Sequence, residues 1–268
     1  MIICGAKNFG FVHVPKCAGS SIRWPLKDQD DMGGRFFGSA RIDGLGRVNM
    51  NHLPMIWLRD HFPDAWAALG QVESYALVRD PMDRFVSAMA QRARGLNKDP
   101  GAMRPREVRE LAETVVTYIE GLSDYPEAKQ IVFAPQRDFV FAGPQQAVTH
   151  IWPVEAMPAL RRRLQDHHGL ILDRDQIWNP TVTYRRAWMA KPLKQLKETS
   201  KRVLPMAQYA ALRDMAVKAF TTHGAPVLEE TLRGEARFQR FVADFYAADH
   251  ELHHEALAAH ASRSTAAG

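Results

Sequence analysis

The sequence predicts an α/β fold, three layers built around a central parallel sheet. Three observations carry that reading. Residues 9–22 run from a short apolar segment through a small-residue loop into helical spacing, and residues 73–94 repeat the plan. A short, continuous apolar run is what a parallel strand covered on both faces looks like. The chain has 268 residues, 46% of them apolar, which is enough to build a full core.

Taken in order, Phe9, Phe11, Val12 and Val14 read as a buried strand, and Pro15 stops its ladder. A loop carrying Lys16, Gly19, Ser20 and Ser21 follows, with a helix beginning after Gly19. Free backbone N–H groups at a helix start, a lysine and two hydroxyls together make an anion site, and phosphate or sulfate is the natural guest. Residues 23–50 read as glycine-rich loop with one short strand at residues 35–37. Residues 53–69 read as helical, offering Leu53, Ile56, Trp57, Trp66 and Leu69 to a core. Tyr75–Val78 is the second strand, Asp80 the N-cap and Pro81 the first turn of the next helix. In that helix Met82, Phe85, Val86 and Met89 fall on one face.

Further helices are expected over residues 104–122, 154–168, 206–220 and 237–246. Residues 131–141 read as loop then strand, with residues 147–151 beside it as a hairpin. No repeat or linker breaks the chain, so one domain over residues 1–261 with a disordered tail at 262–268 is expected.

The 35 basic and 30 acidic residues give a net charge of +5, which suits an anionic ligand. The basic residues are scattered, with Arg161, Arg162 and Arg163 reading as a solvated helix face and Arg185 and Arg186 standing apart, so no nucleic-acid partner is expected. Two cysteines, Cys4 and Cys17, give no disulfide framework and fit a reducing compartment. No signal-peptide pattern and no apolar run of about 20 residues is present, so the expectation is a cytoplasmic protein without a membrane span. Oligomeric state is not legible.

The loop is not a Walker A motif, because Lys16 precedes Gly19. Its order, Pro15-Lys16-Cys17-Ala18-Gly19-Ser20-Ser21, resembles the PK-[TC]-[GA]-G-[TS]-S loop of sulfotransferases that use 3′-phosphoadenosine 5′-phosphosulfate. The nearest patterns are those of heparan sulfate 2-O-sulfotransferase-like and bacterial family-2 enzymes. The resemblance implies that these seven residues grip the 5′-phosphosulfate of the donor. Cys17 and Ala18 depart from the commonest Thr and Gly, so a hydroxyl is lost at Cys17.

Val78-Arg79-Asp80-Pro81, continuing to Arg84 and Ser87, resembles the same family's VRxPxxRxxS motif. Arg79 and Ser87 would then hold the 3′-phosphate; the competing reading pairs Arg79 and Arg84 with Asp80 or Asp83. His52, followed four places later by Ile56, matches the family's H-x-x-x-[LI] context, which implies a catalytic base; its competing reading is an N-cap or loop histidine. His13 reads as a packing residue. The implied reaction is in-line sulfuryl transfer to an acceptor hydroxyl on a carbohydrate or small metabolite. His52 takes the proton, Lys16 stabilises the leaving phosphate and no metal is required. The implied fold is similar to the P-loop nucleotide-kinase-like architecture.

Looser likenesses to the family lie at Ala134-Pro135-Gln136, Trp152–Glu155, Asn179-Pro180 and Phe241–Asp249, the last with a Tyr-x-x-Asp character. The loop at residues 33–46 and the stretch 178–188 are read as acceptor walls.

Three other readings compete. Cys17 and Arg23 have the C-x5-R spacing of cysteine-dependent phosphatases. His250-Glu251-Leu252-His253-His254 is a formal H-E-x-x-H, but Leu257 should extend the helix where a metzincin needs glycine, so a histidine-rich surface helix is expected. A non-catalytic adenine-nucleotide or polyanion-binding module would keep the pocket without the chemistry.

Overall fold

Strands β1 (Ile2–Cys4) and β2 (Phe9–Val12) open the chain as an antiparallel hairpin. The computed structural model describes residues 1–122, 128–172, 182–184, 221–223 and 225–266. The hairpin turns through Asn8, in the left-handed region at φ 48°, whose side-chain oxygen accepts the Glu73 N–H at 3.1 Å. After β2 come helix α1 (Ser20–Arg23) and a hairpin of β3 (Ser39–Ile42) with β4 (Gly46–Asn49). Helices α2 (Met55–His61) and α3 (Pro63–Gly70) lead into β5 (Glu73–Val78), which is followed by α4 (Pro81–Gly95) and α5 (Pro105–Glu120). A short hairpin of β6 (Phe141–Ala142) and β7 (Gln145–Gln146) precedes β8 (His150–Pro153) and α6 (Met157–His168). The remaining described elements are β9 (Val182–Tyr184), β10 (Thr221–His223), α7 (Pro226–Gly234), α8 (Ala236–Phe245) and α9 (Ala247–Ala266).

The fold is α/β, and its central sheet is mixed rather than wholly parallel. Its order is β1-β2-β5-β8, with β2, β5 and β8 parallel and β1 antiparallel at the edge. Tyr75, Ala76, Leu77 and Val78 are all at most 1% exposed, so β5 is covered on both faces. Helices α3, α6 and α9 pack against these strands. Gly10 in β2 is needed for close packing, because a Cβ there would lie 3.0 Å from Leu69 and 3.1 Å from Val72.

The chain divides into two compact units. One comprises Met1–Ala88, Ile119–Trp178 and Arg240–Gly268 and holds the four-stranded sheet. The other comprises Met89–Tyr118 and Asn179–Gln239. Within it, β9 pairs antiparallel with β10, and Arg109 meets Glu235 at 2.6 Å.

Several local expectations change. No strand forms at residues 35–37; Phe36 is instead buried irregular chain edge-on to Phe62. Ile56 is exposed, and Met55 and Leu58 take the buried face of α2. The strand expected near residues 147–151 joins the central sheet as β8, because Tyr75 to Val78 register against His150 to Pro153. Helix α9 runs to Ala266, past the start of the expected tail. The expected helix at 206–220, Asn179-Pro180, Arg185, Arg186 and the rest of the 178–188 wall apart from the strand residues 182–184 lie outside the described residues.

Candidate functional site

The loop after β2 is built on two strained residues. Lys16 and Ala18 adopt φ 66° and φ 58°, and a non-glycine residue in that region costs roughly 1–2 kcal/mol. Such outliers persist where packing over-determines them, and they concentrate at ligand sites. What pins this one is Cys17, fully buried between the two, with its thiol 3.1 Å from Gln136 Oε1 and 3.5 Å from the Pro15 carbonyl. Ser21 caps the turn by donating to the Ala18 carbonyl at 2.7 Å. Among the described residues, the N–H groups of Ala18, Gly19 and Ser20 donate to no protein acceptor. The expected helix after Gly19 has only four residues, so its macrodipole is slight. The groups this loop offers to an anion are its N–H donors and the half-buried Lys16.

Gln136 joins this loop to the end of β5. Its Oε1 also accepts the Arg79 N–H at 2.8 Å, and its Nε2 donates to the Arg79 carbonyl at 2.8 Å. The Gln136 and Arg137 N–H groups donate to the two oxygens of Asp249 at 2.8 and 2.9 Å. Asp249 on α9 lies 3.7 Å from Arg84, whose guanidinium stacks 4.7 Å over the Tyr246 ring. Burial pushes the Asp249 carboxyl up, against the pull of Arg84 and the two N–H donors. Arg84 is 1% exposed and donates to the Val132 carbonyl, so it is a core cation in this arrangement.

Arg79 itself is a third exposed, and its guanidinium meets Asp83 at 3.1 Å. That pairing is the competing reading of the motif for Arg79. Asp80 caps α4 by accepting the Asp83 N–H at 2.9 Å, as its sequence position predicts. Asp83 and the half-buried Ser87 are four residues apart on one face of α4. Arg79 therefore lies against the helical face that carries Ser87, with Asp83 between them.

His52 is brought to the loop through His13. Its Nδ1 lies 3.0 Å from the His13 carbonyl oxygen, and the two rings lie 4.4 Å apart. A carbonyl only accepts, so His52 Nδ1 carries the proton and Nε2 the lone pair. The His13 ring in turn presses on Gly19: a Cβ there would sit 2.4 Å from His13 Cδ2. Burial holds the His52 imidazole down at about 4, opposed by the His13 bond and reinforced by Arg23 and Lys16. Burial and the neighbouring His52 hold His13 well below its ordinary value too. Both rings are neutral at pH 7.

Asn51, next to His52, is held by Arg23 of α1, which also donates to the Phe36 carbonyl at 3.3 Å. The Arg23 guanidinium stacks 4.4 Å from the Phe37 ring. Cys17 and Arg23 thus serve different partners, and burial pushes the Cys17 thiol up to about 12, far from a thiolate nucleophile. His250 and His254 lie on α9, which continues unbroken past Leu257.

Sequence reasoning understated two residues. The loose likeness at Ala134-Pro135-Gln136 was the signal for Gln136. His13 does pack, as expected, but against the loop and the candidate base; nothing local in the sequence announces that pairing. Compared with protein-family models, curated proteins and solved structures, the chain matches none.

Proposed function

We propose that this chain transfers the sulfuryl group of 3′-phosphoadenosine 5′-phosphosulfate to an acceptor hydroxyl, on a fold of the P-loop nucleotide-kinase-like kind. The observation that carries the reading is the contact chain His52–His13–Gly19, which sets a neutral imidazole beside a loop with uncommitted N–H donors. A base with its lone pair on Nε2, next to an anion loop, suits a reaction in which a hydroxyl loses a proton and a phosphate leaves.

In this mechanism Pro15 to Ser21 hold the 5′-phosphosulfate, and Lys16 with the loop donors takes up the charge that gathers on the leaving phosphate. Arg79 exchanges Asp83 for the 3′-phosphate, with Ser87 as a neutral donor on the same face. His52 Nε2 accepts the acceptor's proton as the oxygen attacks sulfur. The residues that act do so by position and charge. A cysteine-dependent phosphatase is disfavoured, because the Cys17 thiol stays protonated at neutral pH and bonds inward to Gln136.

The test is incubation with sulfur-labelled donor and a panel of sugar, phenol and lipid alcohols. Labelled product that disappears in His52→Ala supports the reading. Tight nucleotide binding with no transfer to any acceptor would favour the non-catalytic module instead.

A further inference from the structure

At the other end of β5 from Arg79, Glu73 opens the strand with its carboxylate among three imidazoles, and the Arg163 guanidinium stands 3.9 Å from Oε2. The two positions are six residue steps apart along an extended strand, about 20 Å. His167 Nε2 lies 3.2 Å from Glu73 Oε1, His150 Nε2 lies 3.3 Å from Oε2, and His168 Nε2 lies 3.8 Å from Oε2. One nitrogen each from His167 and His168 and one oxygen of Glu73 all fall within 4.8 Å of one another. A tetrahedral zinc ion with bonds of about 2.0–2.1 Å holds its ligand atoms roughly 3.3 Å apart, so these separations are close to a coordination shell.

The surroundings orient the ligands as a metal needs. His168 Nδ1 lies 2.9 Å from the Lys7 carbonyl oxygen, which only accepts, so the proton is on Nδ1 and the lone pair on Nε2. The Tyr75 hydroxyl lies 2.9 Å from that Nε2 and 3.0 Å from Glu73 Oε2. Glu73 Oε2 is also met by His150 Nε2 at 3.3 Å, so a metal on His168 Nε2 requires the Tyr75 proton to turn to Glu73, where it stays hydrogen-bonded. His168 and Tyr75 are buried, whereas His167 is exposed, so one side of the cluster opens to solvent.

We propose that Glu73, His167 and His168 bind a divalent transition-metal ion of the zinc class, remote from the loop at Lys16. The donor set is two imidazoles and a carboxylate, with an open fourth position for water. Borderline-soft ions such as zinc or cobalt suit it, and magnesium does not. Bound metal ties the start of β5 to the end of α6. This site is independent of the proposed sulfuryl transfer.

The test uses zinc and cobalt ions on the full chain, with magnesium as control. Calorimetry should find one micromolar zinc site that raises Tm, and cobalt should give visible d–d absorption of low-coordinate nitrogen and oxygen ligation. His167→Ala, a surface change that spares the core, should weaken zinc at least about tenfold, and Glu73→Gln should abolish the cobalt spectrum. His254→Ala on α9 should change neither. Absence of zinc binding, or equal binding by wild type and His167→Ala, or loss of binding in His254→Ala, would each overturn the assignment.

Discussion

The Nδ1 of His52 lies 3.0 Å from the carbonyl oxygen of His13, and this bond fixes which nitrogen of the candidate base is available. The same His13 ring closes over Gly19, so base, packing histidine and loop form one unit. The consequences can be measured separately.

The His52 imidazole is held at about 4 against an ordinary 6.5, chiefly by burial. Its C2–H resonance should stay unshifted from pH 8 to pH 5 in the free protein. Bound anionic nucleotide favours the imidazolium, so titration should move into that range on adding 3′-phosphoadenosine 5′-phosphate. The unfolded chain binds more protons than the folded one between these two values. Stability from His52 is therefore complete above about pH 6.5 and is lost as pH falls toward 4. A free-protein midpoint near 6.5 would contradict the buried geometry.

Gly19→Ala puts a methyl group 2.4 Å from His13 Cδ2. The ring must move, and His52 with it. A destabilisation of about 1–3 kcal/mol is expected in urea denaturation, with transfer lost by more than the stability change explains. An unchanged midpoint and rate would show that the loop and His13 are not tightly coupled.

Gln136→Leu removes the amide that accepts from Cys17 and pairs with both backbone groups of Arg79. Each buried group left unsatisfied costs about 1–3 kcal/mol, so the loss should be among the larger single-site effects. Nucleotide binding should weaken in parallel, because the loop and the Arg79 turn lose their common tie. Full affinity in a folded variant would separate the two motifs.

Lys16→Ala and Cys17→Ser should divide charge from packing. Removing Lys16 should lower transfer about 100-fold or more in a variant that still folds. Serine at Cys17 keeps a donor toward Gln136 and should retain most activity. In the native protein Cys17 should resist alkylation at pH 8, since burial raises its thiol to about 12. Rapid alkylation with loss of activity would return attention to a cysteine nucleophile.

What the sequence makes legible follows from local physics. The β2 and β5 strands announce themselves as continuous apolar runs, and Asp80-Pro81 marks a helix start whose cap bond is present. The β3–β4 hairpin is hidden because three of the four β3 residues are exposed and its apolar pattern is weak. The antiparallel edge strand β1 is three apolar residues, too short to show direction. Gln136 lies 57 residues from Arg79 and 119 from Cys17, and only the folded chain shows that one amide serves both. The Arg79–Asp83 pair is an ordinary i, i+4 spacing that a motif match does not exclude.

The most direct measurement is calorimetric titration with 3′-phosphoadenosine 5′-phosphate, set against 5′-AMP. The account predicts micromolar binding of the first and about 10–100-fold weaker binding of the second, the worth of charge-assisted bonds from Arg79 to the 3′-phosphate. Equal affinity for the two, or none for either, would contradict it.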